Sequence, residues 1–95
     1  MRLLEAKVKF NGREVTLNRQ PDELKNCHYG DVLIVMFNHS QYPMCQTLVY
    51  MSTNTDQGVL NYRRISDPIR FNRWTHISNI LLWGRKEVED ESVDR

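Results

Sequence analysis

Near the N-terminus Ala6, Val8 and Phe10 alternate with Glu5, Lys7 and Lys9, and beyond Asn11-Gly12 a second short segment runs from Arg13 to Leu17. Alternation with a period of two is the mark of a half-buried strand, because successive side chains of an extended chain point to opposite faces. Asn and Gly both tolerate the positive φ that a two-residue type I′ turn needs, so the pattern predicts a β-hairpin. Its register follows: Phe10 opposite Arg13, Val8 opposite Val15 and Ala6 opposite Leu17 on one face, with Lys9–Glu14 and Lys7–Thr16 on the other.

The next segment, 18–30, is polar. Pro21 opens a short helical turn through Asp22, Glu23 and Leu24, with the acidic side chains near its positive end. Gly30-Asp31 then introduces the unbroken apolar run 32–37, which reads as a central strand covered on both faces. Residues 38–44 are polar, include Pro43 and read as a loop. A strand is expected at 47–51, a turn at 52–58 and a partner strand at 59–65, together a meander. In the last third Trp74, Ile77 and Leu81 would share a helix face, whereas 80–83 would make a short buried strand. The strand is the favoured reading, preceded by a turn at Asp67-Pro68. These elements predict a mainly β fold: a small open barrel or a two-layer antiparallel sheet of five or six strands with one short helical turn.

Composition narrows the class. Ninety-five residues with 40% apolar and 26% charged side chains describe one ordinary globular domain with a modest core, expected over 1–86. Residues 87–95 carry Glu87, Glu89, Asp90, Glu91 and Asp94 with almost nothing apolar, and a flexible acidic tail is expected there. No run approaches the roughly 20 apolar residues that span a bilayer. The first residues lead into charged alternation without the apolar middle of a signal peptide, so a cytoplasmic, membrane-free location is expected. A core this small also suggests self-association as a two-fold dimer.

The motifs of common enzymes are missing: the sequence has no glycine-rich phosphate loop, no Gly-x-Ser-x-Gly and no His-Glu-x-x-His. A nucleophile assembled from Cys45, His39 and an Asp would need geometry that spacing cannot supply, and a non-enzymatic role without a cofactor is expected. Cys27, His28, His39 and Cys45 fall within nineteen positions, which makes a structural zinc site the third reading. Against it, adjacent Cys27 and His28 cannot easily aim at one metal, and the favoured expectation is two reduced cysteines packed in apolar surroundings.

The stretch Gly12-Arg-Glu-Val-Thr-Leu through Pro21-Asp-Glu-Leu24 to Gly30-Asp31 and Val35 is similar in layout to the swapped-hairpin transition regulators, where a strand leads through a Pro-x-x-Leu turn to Gly-Asp and another strand. The resemblance covers a quarter of the chain and implies a dimeric DNA binder. The long remainder has no counterpart in that small fold.

The richest chemistry lies in Asn61-Tyr62-Arg63-Arg64 and Arg70-Phe71-Asn72-Arg73-Trp74. Four arginines stand against a single Asp67 over residues 61–76. Guanidinium forks match phosphate oxygens and aromatic faces stack on bases, so this segment suits a nucleic acid or nucleotide. Tyr, Trp and Arg are also the residues that most often anchor protein interfaces. A dedicated nucleic-acid domain is usually far more basic than net +1. The expected function is therefore a protein-interaction, inhibitor or accessory module, with nucleic acid second. The expected contact residues are Tyr62, Arg63, Arg64, Arg70, Arg73 and Trp74. The competing structural reading places Phe71 and one of Tyr62 or Trp74 in the core.

Overall fold

A computed structural model describes residues 4–38 and 43–86. The chain forms β1 (Ala6–Phe10), β2 (Arg13–Leu17), a 3-10 turn η1 (Pro21–Asn26), β3 (Val32–Asn38), β4 (Pro43–Asn54), β5 (Val59–Arg64), β6 (Arg73–His76), a second 3-10 turn η2 (Ile77–Asn79) and β7 (Ile80–Arg85). β1 and β2 pair as a separate hairpin, and the other five strands form one antiparallel sheet in the order β6-β5-β4-β3-β7. The mainly β, two-layer expectation holds.

The hairpin closes with φ of 53° at Asn11 and 78° at Gly12, and its register is the one alternation predicts, from Ala6↔Leu17 to Phe10↔Arg13. η1 begins at Pro21, and the Gln20 amide donates to the Glu23 carboxylate at 2.9 Å, which satisfies a group the turn itself leaves open. Strand β3 is buried on both faces as expected. It is not the middle strand, however: β4, which runs for twelve residues and takes in Pro43, Met44 and 52–54, holds that place. Pairing with β3 and β5 on its two sides is what draws those polar residues out of the expected loops. β6 is an additional strand.

Two apolar clusters lie on opposite faces of the sheet. One joins Leu33, Val35, Phe37, Leu48, Tyr50, Leu60, Tyr62, Ile80 and Trp83 and is plugged by Leu24 and Cys27 from the η1 segment. The other places Ile34, Met36 and Leu82 beneath Leu17, Val8, Phe10 and Val15 of the hairpin. The hairpin can sit this close because β7 carries Gly84, where a Cβ would lie 3.2 Å from Leu17 Cδ2 and 3.3 Å from the Thr16 carbonyl. About 25 cal/mol per Å² of apolar surface removed from water supports both layers.

β6 and β7 are opposite edges of the sheet, yet only Ile77–Asn79 separates them. Four residue steps reach about 14 Å, whereas four strand spacings in a flat sheet need about 19 Å. The sheet is therefore curled, as in an open barrel, and it is not closed, since β6 and β7 do not pair. A bulge between Met36 and Phe37 on the β7 side and another between Tyr50 and Ser52 supply local bending.

Candidate functional site

The sequence-predicted contact residues all fall on β5, β6 and the loop joining them; Tyr62, Arg64 and Trp74 line one hollow of about 300 Å³ with Phe37, Gln46 and Thr75, whereas Arg63, Arg70 and Arg73 do not line it. Tyr62 is buried, 7% exposed, with its ring 6.2 Å from Phe37, and belongs to the core. Arg63 lies opposite Val49, and Arg64, one residue on, opposite Leu48, so the two guanidinium groups leave β5 on opposite faces. Arg70 is exposed in the loop. Arg73 opens β6 and Trp74 follows it, 60% exposed and in an edge-to-face contact with His76 at 5.3 Å.

Asp67 organises this lobe. Its Oδ2 accepts from the Arg73 Nε at 2.7 Å and from the Arg64 amide at 2.8 Å, while Oδ1 accepts from Arg73 Nη2 at 3.2 Å. The Asp67 amide returns to the Arg64 carbonyl, the Phe71 amide reaches the Pro68 carbonyl, and Arg63 Nη1 donates to the Asp67 carbonyl at 3.5 Å. Two successive turns are thus held by one carboxylate. The Arg73 fork and the Arg64 amide hold the Asp67 carboxyl below its ordinary 3.8, and Asp67 in turn raises Arg73. Arg73 is committed to structure, its guanidinium also 4.8 Å from the Phe71 ring. Arg64 and Arg70 form no ion pair among the described residues.

The aromatic expectation needs correcting. Of the three rings only Tyr62 enters the core. Phe71, 45% exposed, lies in the loop before β6, where it stacks with Arg73 rather than reaching the sheet interior. Two residues that charge reasoning passed over join it at the surface: Ile65 at 50% and Ile69 at 77% exposure. The available signal was an apolar pair inside a segment of turn residues, Ile65-Ser66-Asp67-Pro68-Ile69, where solvated loops normally carry polar side chains. Beside β6 lies a shallow hollow of about 450 Å³ lined by Asn54, Gln57, Val59, Asn61, Trp74 and His76. A larger cleft of about 480 Å³ is a gap between the hairpin and the sheet, lined by none of these residues.

The cysteines do not share a site. Cys27 packs in the cluster under η1 and Cys45 against the cluster under the hairpin, on the other face of the sheet. Burial raises both thiols above their ordinary value, which keeps them protonated and poor as nucleophiles or metal ligands. His28 is exposed, His39 lies outside the described residues, and no three metal-ligating side chains converge among the described residues. The tail 87–95 is likewise outside them. No helix among the described residues is long and apolar enough to cross a membrane. Comparison with protein families, curated proteins and solved structures finds no match to this chain.

Proposed function

We propose that this protein is a non-enzymatic binding module that recognises another protein through the lobe formed by the β5–β6 loop and β6. The observation that carries this reading is the exposure of Ile65, Ile69, Phe71 and Trp74 within ten residues, on a loop that Asp67 makes rigid. Apolar side chains presented by a preorganised loop lose little conformational freedom on binding, and arginines around them suit the rim of an interface. Among the described residues the other large exposed apolar side chains, Leu4, Tyr29 and Met44, are scattered along the chain.

The test is cross-linking in the protein's native context, comparing wild type with Ile69→Glu/Phe71→Ser. Both positions are exposed, so the variant is expected to keep its thermal unfolding and lose the cross-linked partner. Equal recovery of the partner would refute the assignment. A nucleic-acid reading draws support from the exposed Trp74 and from Arg70, which forms no ion pair among the described residues. It makes a different forecast: binding that falls steeply with salt, with a slope shallower by about one after Arg70→Ala.

A further inference from the structure

The hydrogen-bond parity of β6 leaves part of its backbone facing outward. The Ile77 amide donates to the Gly58 carbonyl at 2.8 Å, and the register runs Val59↔His76, Leu60↔Thr75, Asn61↔Trp74, Tyr62↔Arg73. Hydrogen-bonded and non-hydrogen-bonded pairs alternate in an antiparallel ladder, so Thr75 and Arg73 bond inward to β5 while Trp74 and His76 direct their main-chain groups away from it. No strand pairs with that side of β6 among the described residues. Proteins usually protect such an edge with lysine, proline or a covering segment, and Arg73-Trp74-Thr75-His76 has no proline and ties its one full charge to Asp67.

We infer that β6 accepts an extended acidic segment of a partner protein by strand addition, antiparallel or parallel, with Trp74 and His76 supplying the main-chain bonds. The inference rests on the protein-binding reading and adds the form and charge of the partner. Charge selects the occupant. Residues 59–76 carry Arg63, Arg64, Arg70 and Arg73 against Asp67 alone. A second copy docked edge to edge would bring two such lobes together, whereas Glu or Asp side chains of an added strand would find an opposite charge in Arg64, which lines one hollow with Trp74 and Thr75 and which no carboxylate side chain pairs among the described residues. Main-chain bonds give affinity and the side chains along the edge give selectivity in this mode of recognition.

His76 offers a clean test because its φ of −72° already suits proline. His76→Pro deletes the outward N–H without removing a bond to β5, and His76→Ala removes the ring but keeps the amide. The probe is a capped octapeptide of alternating Glu and Val, followed by 1H–15N spectra of the full chain, with a Lys/Val octapeptide as the charge control. The expected result is saturable shifts at Trp74, Thr75 and His76 with slowed amide exchange at Trp74 and His76. Affinity should fall about tenfold or more for the Lys/Val peptide and for His76→Pro, but little for His76→Ala. Absence of binding up to about 1 mM peptide, shifts centred elsewhere, or equal affinity in His76→Pro would overturn the inference. Loss of the cross-linked partner in Ile69→Glu/Phe71→Ser, with capture intact in His76→Pro, would leave protein binding standing and remove strand addition. Self-association abolished by His76→Pro and unaffected by the acidic peptide would assign the edge to a second copy, and that too would overturn it.

Discussion

The two edges of the five-stranded sheet receive opposite treatment from the same chain. At β7 the Arg19 amide donates to the Trp83 carbonyl at 3.0 Å and the Trp83 amide returns to the Arg19 carbonyl at 3.1 Å, so the segment after the hairpin occupies that edge. The Trp83 indole is fully buried, donates to the Gln20 carbonyl at 2.7 Å and has the guanidinium groups of Arg19 and Arg85 at 5.6 and 5.9 Å from its ring. At β6 the corresponding tryptophan, Trp74, is largely exposed, and no strand pairs with the outer side of its backbone among the described residues. One tryptophan seals an edge and the other advertises one. The contrast teaches that the chain has a means of covering a strand edge and, among the described residues, applies it to β7 and not to β6, which is why the β6 side is proposed as functional.

The largest break in this comparison is Trp83→Ala. It empties a fully buried site, removes the indole hydrogen bond to the Gln20 carbonyl, which keeps the Glu23 amide as a donor, and loosens the closed edge, and it should cost about 3–5 kcal/mol in urea unfolding. Gly84→Val comes next. A branched side chain facing Leu17 and the Thr16 carbonyl must push the hairpin off β7, at about 1–3 kcal/mol, with faster amide exchange concentrated in residues 13–19. The smallest effect is at the open edge, where acid should release the Asp67 clamp. Because the folded carboxyl titrates below its ordinary 3.8, its contribution is complete above that value and declines as pH falls towards the depressed one. NMR carried from neutral pH to well below 3.8 should show the Arg73 Nε–H and Arg64 amide signals steady above that value and moving together below it, while Trp83 stays unchanged. Asp67→Asn should make the loop signals insensitive to pH over that range.

What could be read from sequence follows the range of the interactions. The hairpin and its register were legible because Asn11-Gly12 sets the turn and alternation sets the faces, all within twelve residues. The apolar run 32–37 announced a strand covered on both faces, and residues 80–85 proved to be strand rather than helix. β6 escaped because four residues carry too little pattern, and strand order escaped because nothing local says that β7 returns to β3. At the site, the six contact residues were located on the right strands and loop, but not oriented. The opposite faces of Arg63 and Arg64 follow from pairing to β4, and the capture of Arg73 by Asp67 spans six residues that match no local turn motif.

The dependence of the hairpin on β7 also sets an order of events in folding. The hairpin's turn is local and its two strands can find each other early, but its floor includes Leu82 and Gly84, and its exit is fixed by Arg19 meeting Trp83 across 64 positions of chain. Contacts of such separation form after the loop between them has been closed, and the meander β3–β6 lies inside that loop. The hairpin is thus expected to form early and dock late, so that mutations at Leu17 or Gly84 should act mainly on the unfolding rate and leave the folding rate nearly unchanged, which stopped-flow folding kinetics would check.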